Sequence, residues 1–377
     1  MPTNQILLEN KRNLLFLSVS GSRLYGTHHE DSDYDFKGMC LGGKEDYIGS
    51  MRYNFEQYET FDVYKPFLNP YLRSYKYLTH EESPDMVIYE FRKFVKLLED
   101  NNPNILELFG NIPKEYIIET SPEYEMMKEN LDKFLCKSVK YRYSGHAYSQ
   151  FKRIESHRKW LLDPPKGKPS REDFHLPVEK RNSYQRVLSE VRKYIDKIDL
   201  SSLDISKELQ WEISEYIQQR IGWNVFTQKN KERFFDGVLF DLGVDDDYIL
   251  YFHREAEYEN AVRKWKSYCK WKKTRNPERA KLEAKCNYDS KHGMHLIRLM
   301  RMGIEILRGE GINTMRDDAE ELKEIRFGNW TYEQLEEEFR CLDSQIENDL
   351  NDSKLPRKPN HKWINDFTVK TIESQLF

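Results

Sequence analysis

Between Ser18 and Cys40 the chain reads SVSGSRLYGTHHEDSDYDFKGMC, which places a Gly-Ser turn, a basic residue and aspartates at 31, 33 and 35 in one short span. Asp33 and Asp35 lie two apart on a strand predicted over 33 to 41, so both carboxylates leave the same face, a few ångströms apart. Like charges held that close repel, and a divalent cation removes the conflict. Hard oxygen ligands at Asp-x-Asp spacing suit Mg²⁺ or Mn²⁺, ions that also grip substrate phosphates. Gly21 and Ser22, between a predicted strand and a helix start, offer a phosphate backbone N–H groups and a hydroxyl, with the backbone at Arg23 beside them. The chemistry these parts describe together is a metal–triphosphate clamp.

Other readings compete. Asp31, Asp33 and Asp35 begin like a calcium-binding EF-hand loop, but the sixth and twelfth places hold Phe36 and Gly42 instead of Gly and Glu. Metal-free general acid and base work needs one carboxyl in an apolar pocket, whereas His28, His29, Glu30 and Asp31 make the surroundings polar. Taken singly, the Gly-Ser and the Ser-Asp-Tyr-Asp pieces are ordinary turn sequences. Their combination carries the signal.

The elements that must position these residues can be read around them. The run LLFLSVS, 14 to 20, is a strand buried on both faces and ended by Gly21. DMVIYEF, 85 to 91, is a further strand candidate. RKFVKLLEDNNPN follows it, with Phe94, Leu97 and Leu98 at helical spacing before Asn-Asn-Pro. Beyond Pro113 the chain turns to long helix-forming segments at 122 to 162, 179 to 235, 247 to 285, 290 to 309 and 331 to 350. Proline-rich loops at 162 to 177 and 351 to 362 interrupt them. The expectation is an α+β protein: a mixed sheet with helices over 1–115, a helical domain over 116–350 and a linker with a short tail over 351–377.

At 377 residues the chain exceeds one typical core, and a net charge of -4 gives no global attraction to nucleic acid or anionic membrane. Five scattered cysteines without a Cys-x-x-Cys pair argue against a disulfide framework or zinc knuckle, and no apolar run approaches a membrane span. A cytoplasmic protein without membrane contact is expected.

Gly21-Ser22 followed by Asp33-x-Asp35 on the next strand resembles the signature of the DNA polymerase beta superfamily of nucleotidyltransferases. The stretches GSRLYGTHHEDSDYDFKG, DMVIYEFRKFVKLLEDNNPNILEL and KHGMHLIRLMRMGIEIL are similar to a branch of bacteria and phages associated with RNA repair. The resemblance implies a third carboxylate on a later strand and two metal ions. Asp85 is the choice, with Glu90 the main rival and Glu59 and Asp62 open. It further implies transfer of a nucleoside monophosphate from an NTP to an acceptor hydroxyl, with release of pyrophosphate. Asp33, Asp35 and Asp85 would be the catalytic and metal-binding residues, and Gly21, Ser22 and Arg23 the triphosphate grip.

In the helical half, Lys291, His295 and Arg298 lie close to one face at helical spacing and could meet phosphates or the acceptor. Residues 263 to 281, RKWKSYCKWKKTRNPERAK, interleave nine cations with Trp265, Tyr268 and Trp271, the pattern that backbone contact plus base stacking requires. RNA, including a tRNA end, is the first acceptor. The alternatives are a toxin-like or modifying transferase acting on a protein or small molecule, and a non-catalytic nucleotide or nucleic-acid binder on the same fold.

Overall fold

The structure, a computed structural model, describes residues 14–30, 32–49, 56–58, 85–178 and 246–376. The expected helix over 179 to 235 and the candidates Glu59 and Asp62 lie outside them.

A five-stranded mixed sheet has the order β3-β4-β2-β1-β5, built from β1 (Leu14–Ser20), β2 (Asp35–Cys40), β3 (Gln57–Tyr58), β4 (Asp85–Glu90) and β5 (Ile117–Glu119). Every residue of β1 is buried, Ser18 and Ser20 included, as in a central strand. It pairs antiparallel with β2, which in turn pairs parallel with β4. Side chains alternate along β2. Phe36 and Cys40 join Leu17, Val19, Met86 and Ile88 in a cluster on one face, while Met39 joins the larger core on the other. Asp35 and Lys37 share the parity of Met39, so they stand on the face toward the helices.

The helices are α1 (Gly21–Leu24), α2 (Lys44–Ile48), α3 (Phe91–Glu99), α4 (Pro103–Leu106), α5 (Pro122–Glu129), α6 (Ser138–Leu162), α7 (Asp246–Thr274), α8 (Pro277–Cys286), α9 (Ser290–Arg308), α10 (Ala319–Arg326), α11 (Tyr332–Asp352) and α12 (His361–Leu376). In α3, Phe91, Phe94, Val95 and Leu98 form the buried stripe, and the Glu90 carboxylate caps its start by accepting from the Lys93 N–H at 3.2 Å. Helix α9 begins with an Asp289 cap and ends at Gly309 in the left-handed conformation. It packs against α6, α10 and α11.

The structure divides into compact units differently from the expected boundaries. One unit holds Met1–Asp163 together with Asn276–Phe377, the other Pro164–Arg275. The physical reason is continuity of the core. Phe16 and Met39 of the sheet belong to the same buried cluster as Tyr143 of α6, Met294 and Leu296 of α9 and Phe339 of α11. The segment expected as linker and tail ends in α12, whose Phe367 ring lies 6.1 Å from that of Phe91 and whose Trp363 meets Phe134 edge-on at 5.9 Å. In the second unit, Arg171 forms a bidentate pair with the fully buried Glu255 of α7, both bonds at 2.8 Å.

Candidate active site

Parallel pairing sets Asp85 at the head of β4 directly beside Asp35 at the head of β2. Neighbouring strands lie about 4.8 Å apart, so two carboxyl groups at the same register on one face are crowded. Asp33 falls two residues before β2 begins and is exposed, which corrects the expected strand over 33 to 41 at its start. Burial and the Asp85 charge, with a smaller contribution from Asp33, raise the Asp35 carboxyl above its usual range. Lys291 and Lys37 oppose the rise. The three aspartates are thus electrostatically coupled, and a lysine of α9 reaches the same field. Glu90, the rival third carboxylate, sits at the far end of β4, opposite Cys40. It is buried, accepts from Tyr47 Oη at 2.7 Å and caps α3. Its oxygens are committed to structure.

Gly21 explains how the turn and the carboxylates meet. Its φ is +66°, and a Cβ built there would lie 2.0 Å from Asp35 Oδ2. Only a residue without a Cβ lets the turn lie against that carboxylate. Gly21 opens the single turn α1, whose first N–H groups have no intrahelical acceptors. Ser22 is half-buried, and its carbonyl receives the Thr27 N–H at 2.9 Å, which closes the loop.

Arg23 has a role the sequence did not show. Its guanidinium donates to the Ser32 carbonyl at 2.6 Å and lies 3.6 Å from the centre of the Tyr34 ring, so the side chain staples the loop between Gly21 and Asp35. The loop is also held from the C-terminal half: Arg326 Nη1 donates to the Thr27 carbonyl at 2.8 Å, and the Arg316 N–H to that of Tyr25 at 3.3 Å.

The expected trio on α9 separates. Lys291 faces the Asp35 field. His295 is pushed well below the usual imidazole range by burial and by the neighbouring cations Arg298 and Lys291, which keeps it neutral, and its ring meets Tyr25 edge-on. Arg298 is 5% exposed, lies 3.6 Å from the Tyr25 ring centre and pairs with Glu107 at 3.6 Å. Its charge is spent inside the protein. The partner that draws it inward is Glu107, which sequence reasoning missed. That buried carboxylate also accepts from Lys37 Nζ at 2.6 Å and Tyr25 Oη at 2.6 Å. The signal was available: in ILELF, Glu107 is a single charge inside an apolar run, and such a charge must find buried partners.

The surroundings are positive despite the net charge. His28 is lowered by partial burial and by Arg23, Lys323 and Arg326. Burial is the main cause at both His28 and His295, and the neighbouring cations add to it. A half-buried glycine turn and a crowded pair of carboxylates therefore stand together at the heads of β2 and β4, with Lys291 bearing on Asp35.

Residues 3–162 match the RNA repair pathway DNA polymerase beta family. The match runs from before β1 to the end of α6 and so takes in Gly21, Ser22, Asp33, Asp35 and Asp85, while Lys291, His295 and Arg298 lie beyond it. It is the same polymerase-beta-like branch that the sequence resembles. No curated protein and no solved structure is a significant match.

The basic aromatic strip is divided. Residues 263 to 275 lie in the second unit, on α7 and just after it, and 277 to 281 open α8 in the first. On α7, Arg263, Lys264, Lys266, Lys270, Lys272 and Lys273 are exposed. Trp265, Tyr268 and Trp271 form a ladder with ring centres 5.7 and 6.0 Å apart, and Tyr268 is buried. Tyr268 is thus packed inward and does not offer a face for stacking. Among the described residues no helix is long and apolar enough to cross a membrane.

Proposed function

We propose that this protein is a metal-dependent nucleotidyltransferase that moves NMP from an NTP to the hydroxyl of an RNA end and releases pyrophosphate. The observation that carries the reading is the register pairing of Asp35 with Asp85 against Gly21, with Lys291 in the same field. The donor set fits a divalent cation: carboxylates crowded at one register gain from a shared positive charge, and their oxygens suit Mg²⁺ or Mn²⁺. Asp33, Asp35 and Asp85 would hold the metal, which when bound neutralises charge on the triphosphate and acidifies the attacking hydroxyl.

The chain's own residues do the rest. Gly21 and Ser22 present N–H groups and a hydroxyl to phosphate oxygens, and Arg23 fixes the loop that carries them. Lys291 and the positive field of Arg326 and Lys323 attract the triphosphate. The buried Glu107, Tyr25 and Arg298, with the half-buried Lys37, join β2 to α9 and so keep Lys291 at a set distance from the aspartates. The exposed lysines of α7 supply sequence-independent attraction to a nucleic-acid backbone, which favours RNA over a protein or small-molecule acceptor.

Incubation of the protein with each labelled NTP, Mg²⁺ and total RNA tests the acceptor. Label on RNA is the expected result. Label on protein, or only free NMP, overturns the RNA assignment.

A further inference from the structure

On α6 and the first turn of α9, outside the aspartate site, His157, Asp289 and His292 come together with one ligand atom each, all within 4.8 Å of one another. Asp289 is 3% exposed, and each imidazole is 17% exposed. The carboxylate divides its work. One oxygen, Oδ1, accepts from the His292 N–H at 3.2 Å and caps α9. The other, Oδ2, lies 3.5 Å from His157 Nδ1 and 3.5 Å from His292 Nε2.

Those two separations suit a shared metal ion, and the two imidazoles lie within 4.8 Å of the same group of ligand atoms. A charge-assisted N–H···O bond closes to about 2.7–2.9 Å, well inside what is seen. A tetrahedral zinc with bonds of about 2.0–2.1 Å holds its ligand atoms roughly 3.4 Å apart. The carboxylate oxygen thus stands from both ring nitrogens at the edge length of a zinc tetrahedron. The imidazole centroids are 6.0 Å apart, and Trp160 stacks on His157 at 5.5 Å and supports that ring. Two imidazoles with one carboxylate favour a transition ion over Mg²⁺.

We propose that His157, Asp289 and His292 form a Zn²⁺ site that ties α6 to the start of α9, with water in the fourth position. Lys291 belongs to the turn so fixed, and Lys291 bears on Asp35. The ion would therefore set the distance between Lys291 and the aspartates without touching the nucleotide. The site does not rest on the transferase reading.

Equilibrium dialysis of the full chain against Zn²⁺ in excess Mg²⁺ tests it, since Mg²⁺ competes at oxygen-only sites. The wild-type chain should retain one Zn²⁺, and Asp35→Asn should retain it too. His157→Ala and His292→Ala should lose it, and Zn²⁺ should raise the melting temperature of the wild type but not of either variant. Co²⁺ loaded into the wild type should give visible d–d absorption of a nitrogen-ligated ion, a readout that needs no variant to fold. Failure of the wild type to retain Zn²⁺, equal retention by both histidine variants, or colourless Co²⁺ protein overturns the proposal.

Discussion

Replacing Gly21 with alanine tests whether the turn and the carboxylate form one device. Two costs can be worked from the structure. At φ +66° the left-handed backbone costs an alanine about 1–2 kcal/mol. The new methyl would also lie 2.0 Å from Asp35 Oδ2 and 2.9 Å from its Cγ. Ordinary contact begins near 3.4 Å, so the carboxylate must retreat by about 1.4 Å or rotate away. A carboxylate at the end of a side chain can do so without unfolding the sheet, so the melting temperature should drop by only a few degrees. Transfer should fall much further, because a 1 Å misplacement at a reacting centre costs on the order of 100-fold. Gly26→Ala separates the two effects: its φ is +74°, but the neighbours its Cβ would meet are Met315 Sδ at 3.2 Å and Ala319 Cβ at 3.4 Å, and Asp35 is not among them. It should lose comparable stability and keep most of its transfer rate. Melting curves and single-turnover NMP transfer on both variants decide the matter. A folded Gly21→Ala protein with a near wild-type rate, or equal loss in Gly26→Ala, would refute the reasoning.

Further outcomes follow from the same geometry. Asp35 has a raised pKa in the folded state, so its ionisation opposes folding once the pH exceeds the unfolded carboxylate value; in EDTA, Asp35→Asn should melt higher than wild type at neutral pH, with the gain vanishing in acid. Arg298→Leu strips a buried partner from Glu107 and should cost about 3–5 kcal/mol in urea unfolding without NTP, whereas the half-buried Lys291→Met should lower NTP affinity with little effect on the urea midpoint. Bound triphosphate should raise the lowered His28 pKa, seen by NMR titration with and without NTP, because an anion favours imidazolium. Lys266, Lys270 and Lys273 changed together to Gln should weaken RNA binding and flatten its salt dependence by roughly one counterion per lysine; unchanged affinity across a salt series would remove α7 from the acceptor site.

How much of this was legible follows from what each residue's signal depends on. The apolar start of β1, the start of β4 and the bounds of α9 are local and were readable to within a residue or two. The pairing of Asp35 with Asp85 was not, because strand register comes from the whole sheet; the parallel ladder sets Asp85 opposite Asp35 and Glu90 opposite Cys40 at the other end. Arg298 shows a different limit. Helical spacing placed it with Lys291, but a partner nearly two hundred residues away, Glu107, decides where its charge goes. The expected boundary at 116 rested on a change of composition, whereas the core that joins β1 to α9 is set by long-range packing. The short α10 and the terminal α12 escaped because charge and proline around them masked a modest apolar stripe.

The central claim is that Asp33, Asp35 and Asp85 centre a nucleotidyl transfer, and the fate of each phosphate tests it most directly. NTP labelled at the α-phosphate and, separately, at the γ-phosphate should be supplied with Mg²⁺ and RNA to the wild type, Asp35→Asn, Asp85→Asn and Glu90→Gln. The account predicts α-label on RNA, γ-label released as pyrophosphate, loss of both in the two aspartate variants, and both kept wherever Glu90→Gln remains folded. Label from the γ-phosphate on the acceptor, inorganic phosphate in place of pyrophosphate, or full transfer by Asp35→Asn would contradict it.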